Sequence, residues 1–439
     1  MRKGTKRLPI SAFAGNHLHC VRMPLAAYAE VFRSRRIGLL VLLGFASGLP
    51  LALTAGTLQA WLAAERVDIV AIGWFALVGQ PYTYKFVWSP LMDRYALPFL
   101  GRRRGWLLAT QVALAASIAF MGTLSPADSA WLLGAVAVLV AFLSASQDIV
   151  FDALRTDMLA REERGAGAAV SVLGYRVAML VSGAGALILA DQWLGWPATY
   201  WLMASLMVVG MAATWLVAEP QAQAGAPRTL DEAVVQPFRE FFSRESALAF
   251  LALVVLYKLG DAFAGSFTTT FLLRGPGFTL TEVGALNKGF GLAATIVGAL
   301  AGGALMARLR LFRALLAFGV LQAVTNLGFM LLALSGKDYP LMVVVVGLEN
   351  LCGGMGTAAY VALLMTLCDR RFSATQYALL SALSAVGRVY VGPAAGYLVK
   401  ALDWAPFFFV TFLIALPGLA LLAAMRARVD ALDQPAVQR

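Results

Sequence analysis

Twelve apolar runs, each about as long as a bilayer is thick, leave this chain little choice of fold. They occupy 37–62, 69–91, 105–124, 131–153, 167–190, 197–218, 247–273, 281–306, 314–334, 340–367, 376–399 and 405–425. About 20 apolar residues in a helix cross the hydrocarbon core, and only helices satisfy their own backbone groups there. The expected class is therefore an all-α integral membrane protein of twelve transmembrane helices. Composition agrees: 60% of the residues are hydrophobic and 13% charged, where a soluble chain carries roughly 25%. Few aqueous segments are long enough to fold alone, so one membrane domain without a separate catalytic domain is expected.

The net charge of +11 would fit nucleic acid in a soluble protein, but here its placement is topological. Lys and Arg crowd the amino-terminal segment, alternate loops and the carboxyl tail. The opposite loops carry only Arg66, Arg274, Lys337 and Lys400. The positive-inside rule then puts both termini in the cytoplasm, with no nucleic-acid partner. The expected organisation is a basic cytoplasmic segment 1–36, a six-helix bundle 37–218, a cytoplasmic linker 219–246, a second bundle 247–425 and a tail 426–439. The amino-terminal segment lacks a signal-peptide core. Met23 is an alternative start, and Pro24 to Arg36 can lie on the membrane as an amphipathic helix. Three cysteines make no paired framework, so Cys352 and Cys368 read as reduced and structural.

A charge at mid-membrane costs about 2.5 kcal/mol or more, so the charged residues inside the runs define a protected interior. They are Lys85 in span two, Asp148 and Asp152 in four, Arg176 in five, Lys258 and Asp261 in seven, Lys288 in eight, Glu349 in ten and Arg388 in eleven. Spans three, six, nine and twelve have none. The vacancy at every third span describes two pseudo-symmetric six-helix bundles around a central polar cavity. The halves also echo one another locally. Arg161-Glu162-Glu163-Arg164 leads to Arg176, and Asp369-Arg370-Arg371 leads to Arg388.

After span two comes Ser89-Pro90-Leu91-Met92-Asp93-Arg94, then Gly101-Arg102-Arg103-Arg104. This resembles the cytoplasmic loop signature of the major facilitator superfamily, with Ser89 in place of a Gly and Tyr95 to Leu100 added. An acid beside arginines at helix ends can latch neighbouring termini in one state and release them in another; the plainer reading is a topogenic basic loop. Gly44-Phe45-Ala46-Ser47-Gly48-Leu49-Pro50-Leu51, Trp88 to Arg104, and Gln147-Asp148 through Asp157 narrow the match. Together they resemble the AmpG family of muropeptide permeases, related to the acetyl-CoA transporters. The similarity is dense over 37–176 and looser to about 425. Members of that family often carry further membrane segments towards the carboxyl end. The resemblance implies the major facilitator fold and proton symport of anhydro-muropeptides from periplasm to cytoplasm across the bacterial inner membrane. It places the chain in peptidoglycan recycling and β-lactamase induction.

Such a ligand is an anionic glycopeptide, and the residues suit it independently. Lys85, Arg176, Lys258, Lys288 and Arg388 offer carboxylate partners. Gln59, Gln80, Gln147, Asn287 and Asn350 can meet hydroxyls and amides, and Trp74, Trp88 and Tyr84 can stack on sugar faces. Each cation has a plainer reading as half of a structural ion pair. Lys258 and Asp261, three apart on one face, can satisfy each other, and Lys288 can snorkel. Asp148 and Asp152 lie one turn apart, with Arg155 favouring ionisation of Asp152, so Asp148 is the better proton carrier. Glu349, beside Asn350 and Gly353-Gly354-Met355-Gly356, is the second candidate, and Asp261 the third. Asp93, Arg94, Arg102, Arg103, Arg155 and Asp157 are the candidate gating residues.

Against an enzyme stand the histidines: His17 and His19 in the amino-terminal segment are the only two, so the bundle holds no imidazole for acid–base work. No zinc-ligand set or phosphate-cradling loop is present, so neither a metal nor another cofactor is expected. The remaining readings are a monomeric carrier of muropeptides, a permease for another bulky anion such as a nucleotide or coenzyme A derivative, and a membrane sensor without flux.

Overall fold

The structure, a computed structural model, describes residues 35–98, 100–159, 164–219, 236–368 and 373–432. The amphipathic helix expected up to Arg36 and the echo at 161–164 and 369–371 fall largely outside these residues, as does most of the linker.

All twelve expected runs are helical, several of them in more than one piece. Span one comprises Arg35–Thr54 and Gly56–Ala64. Span two is five short pieces, Ile69–Phe75, Ala76–Gly79, Gln80–Tyr84, Lys85–Val87 and Ser89–Arg94. Pro81 and Pro90 sit in the first turns of two of these pieces, where a missing backbone donor is tolerated. Spans three and four are Arg102–Met121 and Pro126–Met158. Span five starts as Arg164–Met179 and continues through π-helical turns at Leu180–Gly185 and Ala190–Leu194. Span six is Gly195–Leu216.

A surface helix, Gln236–Ser243, precedes the second half. Span seven is Ala247–Tyr257 and Leu259–Arg274, interrupted at Lys258. Span eight contains a π-helical stretch, Gly284–Phe290, followed by Gly291–Met306. Spans nine to twelve are Leu311–Ser335, Tyr339–Thr366, Ser373–Leu402 and Trp404–Ala424. Among the described residues nine stretches are long and apolar enough to cross a membrane. One of them, Ala169–Leu216, reverses at Gly195, whose φ of +67° suits a residue without Cβ, and so supplies two passes. The broken span two and the polar span eleven complete the twelve.

Spans one to six pack on one another, span one against five, six and four, and span three against four and six. Spans seven to twelve form the second bundle, with eight on ten, nine on ten and twelve, and seven on eleven and twelve. The bundles meet where span two crosses eleven, span one crosses seven and span five crosses eight. An even number of passes puts both ends of the chain on one side, here the terminal end; the other is the far end. The span one–seven and five–eight crossings lie in the far halves of their spans, and the span two–eleven crossing starts there and reaches mid-span at Tyr84. Both bundles are stiffened there by aromatic cores. Trp61 stacks on Trp196, with ring centroids 5.6 Å apart, and Phe271 packs edge-on against Phe408 at 4.7 Å.

Candidate functional site

Three of the five intramembrane cations stand on irregular backbone. Lys85 opens a 3-10 segment, Lys258 is the break in span seven, and Lys288 lies in the π-helical stretch of span eight. Interrupted helices with charged residues at bilayer depth are the pattern of a binding cavity.

The charges fall into two groups. In the first, the attraction of Lys85 and the repulsion of Asp152 both act on Asp148, and Ser47 of span one donates its hydroxyl hydrogen to that carboxylate. Tyr175 of span five feels Asp148, Asp152, Arg176 and, from the other bundle, Arg388. Arg155 pairs with Asp152 at 3.0 Å. Lys85, Arg176 and Arg388 form no ion pair with a described residue, and the nearest polar partner of Arg176 is the Met179 sulfur at 3.8 Å. Arg388 is exposed.

The second group belongs to spans seven to ten, and its Lys288 also reaches Gly56 of span one. Lys258 donates to Asp261 at 3.2 Å and to Gln322 of span nine at 3.1 Å. Lys288 donates to Thr269 at 2.7 Å, turned inward to span seven where snorkelling would have carried it outward. Glu349 accepts from Asn350 at 2.8 Å and feels Asp261, Lys258 and Lys288. Asn350 is further occupied by Thr295 and the Val346 carbonyl. The structural reading of Lys258 and Asp261 thus has its pair.

Other polar candidates are engaged as well. Gln59 donates to the Ser266 carbonyl across the bundle interface, Trp88 donates to Ser146 at 3.0 Å, and the Tyr84 hydroxyl meets that of Tyr390 at 2.9 Å. Gln147 is 1% exposed, and neither amide atom has a partner among the described residues. Gln80 and Asn287 are half-buried and Trp74 is exposed.

At the far end the bundles are closed on each other. Arg274 of span seven donates to the carbonyls of Ala63 (2.9 Å) and Leu62 (3.0 Å) at the end of span one. Its positive charge complements that helix's carbonyl pole. Asp191 accepts from both the amide and the hydroxyl of Thr281, and Lys400 approaches Asp68 at 3.5 Å. Burial of Asp68 opposes its ionisation, but the Ala71 and Val70 amides and Lys400 outweigh that and hold the carboxyl below its usual value.

At the terminal end the following contacts each lie within one bundle. Arg103 pairs with Asp157 at 3.1 Å, and Glu219 accepts from the Arg103 and Arg104 amides at the start of span three. In the other half Arg244 bridges Glu240, the Leu367 carbonyl and Gln376. Arg102 has partners too, while the side chains of Asp93 and Arg94 lie outside the described residues. Replacing Arg103 by Gln is expected to cost about 1–3 kcal/mol by leaving Asp157 without its charge-assisted partner, read as a lower melting temperature in detergent. Sequence reasoning missed Ser47, Tyr175, Thr269, Arg274, Glu219, Gln322 and Tyr390. Of these only Gln322, a polar residue inside an apolar run, carried a signal.

A closed far end, two helical bundles and charged side chains at bilayer depth are the features of a secondary transporter. The chain belongs to the Major Facilitator Superfamily, whose family model matches residues 40–389. Within it, the chain is 60% identical to the anhydromuropeptide permease of Escherichia coli K12 over 403 residues, covering 92% of this chain and 82% of that one. It is 34% identical to the putative transporter AmpG 4 of Rickettsia conorii, over 91% of this chain and 99% of the relative. In fold it is similar to a bacterial homologue of the lysosomal transporter Spinster in an inward-facing, unoccupied conformation, with TM-score 0.68, 15% identity and 93% and 99% of the two chains covered. A sulfate-bound peptide transporter POT gives 0.68 at 13% identity, over 91% and 96%.

Proposed function

We propose that this chain imports anhydro-muropeptides from periplasm to cytoplasm by proton-coupled alternating access. The observation that carries the reading is the set of three cations without an ionic partner among the described residues, Lys85 and Arg176 from one bundle and Arg388 from the other. Lys85 attracts Asp148, and Arg176 and Arg388 both act on Tyr175, in a chain 60% identical to a permease for such fragments. A ligand with several carboxylates can engage both bundles at once through these groups, so its binding favours their approach. Lys258 is occupied within the second bundle by Asp261 and Gln322, and Lys288 by Thr269.

With the termini cytoplasmic, as the basic loops indicate, the closed far end faces the periplasm. Arg103–Asp157 and Glu219 then brace the cytoplasmic ends within the first bundle.

Uptake of labelled anhydro-muropeptide into proteoliposomes under an imposed proton gradient tests the reading. Gradient-dependent accumulation supports it, binding without flux would make the chain a sensor, and uptake only of nucleotides or coenzyme A derivatives would replace the substrate. Arg176→Gln or Arg388→Gln is expected to weaken binding of the anionic ligand about 10- to 100-fold, as for loss of a charge-assisted hydrogen bond. A neutral analogue should lose much less, and equal losses would make the arginines structural.

A further inference from the structure

A cleft of about 450 Å³ opens on the terminal end of the first bundle, away from the interior charges. It is lined by Arg35, Arg36 and Leu39 at the start of span one, Asp157 and Met158 at the end of span four, and Leu216 to Glu219 at the end of span six. Both acids in its wall are already committed. Asp157 is held by Arg103 at 3.1 Å, and Glu219 by the amides of Arg103 and Arg104 at 2.7 and 3.0 Å.

Arg35 and Arg36 are exposed and make no ion pair with a described residue. The charge left in the cleft is therefore positive. Its other walls are apolar. Leu39 and Val217 close the inner side, and Leu216, 53% exposed, continues onto the outer surface beside Trp215, 62% exposed. Tryptophan at that depth marks the membrane–water boundary.

We infer that this cleft binds the phosphate headgroup of an anionic phospholipid, with Arg35 and Arg36 on the phosphate and the acyl chains lying along Leu216 and Trp215. A soluble phosphate would use the arginines and leave the apolar wall empty; a lipid uses both. Basic pockets between helices at the boundary of a bilayer suit such headgroups. The occupant would tie the first turn of span one to the ends of spans four and six, next to the Arg103–Asp157 pair.

The test is native mass spectrometry of the full chain in detergent, titrated separately with cardiolipin, phosphatidylglycerol, phosphatidylethanolamine and inorganic phosphate. The expected result is retention of cardiolipin or phosphatidylglycerol in preference to phosphatidylethanolamine, and about 10- to 30-fold weaker retention in the R35Q/R36Q double variant. The R35K/R36K variant keeps the charge and should keep most of the lipid, which separates loss of the site from loss of the fold. Equal retention by the Gln variant, or no preference over phosphatidylethanolamine, would overturn the assignment. So would displacement of the lipid by inorganic phosphate at comparable concentration, which would make the site one for a free anion.

Discussion

Asp148→Asn is expected to abolish uphill accumulation of substrate while leaving exchange of external for internal ligand partly intact. The argument starts from Lys85. In the absence of ligand its charge is answered by Asp148, which also holds the Ser47 hydroxyl. A substrate carboxylate arriving at Lys85 would place a third negative group beside Asp148 and Asp152. Two close carboxylates and an incoming one repel unless one of them takes a proton. Asp152 is already paired with Arg155 at 3.0 Å, so on the proposed reading Asp148 would be the group that takes the proton. Binding of anion and proton is then mutually required, which is the thermodynamic content of symport. A gradient equivalent to 100 mV stores about 2.3 kcal/mol per proton, about 50-fold in concentration before the substrate's own charge is counted. The Asn variant should forfeit that factor because an amide cannot release a proton. Counterflow in proteoliposomes measures exchange, and imposed-gradient uptake measures accumulation. If accumulation survives in the Asn variant, Glu349 becomes the proton carrier to examine by the same pair of assays.

The architecture was legible because a bilayer enforces it. Apolar length gave the spans, and the rule that intramembrane charge must face protein or water marked the interior. What letters could not give was how the charges are shared. Lys85 and Lys258 look alike in sequence, each a lysine within an apolar run. Lys258 has Asp261 one turn ahead and Gln322 from a span that bears no charge in its interior, whereas Lys85 faces a carboxylate on another helix. The first partner is visible at helical spacing; the second and third need the fold. Arg274 shows the same limit in a loop. Counted as one of the few basic residues at the far end, it reads as a topological exception, yet its guanidinium joins the bundles by capping span one. Backbone carbonyls leave no mark in a sequence, so contacts made to them are invisible until the helices are placed.

Gly73→Val should nearly eliminate uptake by a different route, preventing the far end from closing. Span two meets span eleven backbone to backbone at this point. A Cβ on Gly73 would lie 2.5 Å from the Gly392 carbonyl oxygen and 3.3 Å from the Gly396 Cα, and one on Gly396 would lie 3.1 Å from the Ile69 carbonyl oxygen. The opposing atoms are main chain in a membrane-spanning helix, so relief requires the helices to part. Overpacking of this kind costs about 1–3 kcal/mol. Parting also lengthens the Asp68–Lys400 contact and strains the Arg274 bonds, since all join the same two bundles. The balance between states therefore shifts by about 10- to 100-fold or more away from the one described here. A single cysteine replacing Gln59, which spans the closed interface, reports the shift in an otherwise cysteine-free chain. In the Gly73→Val background it should react with an impermeant maleimide from the far side, and in the parent it should not. Gly303→Val is the control, because a Cβ there meets nothing within 4 Å, and uptake should persist. Unchanged labelling and transport in Gly73→Val would mean that the two helices need not touch for the carrier to cycle.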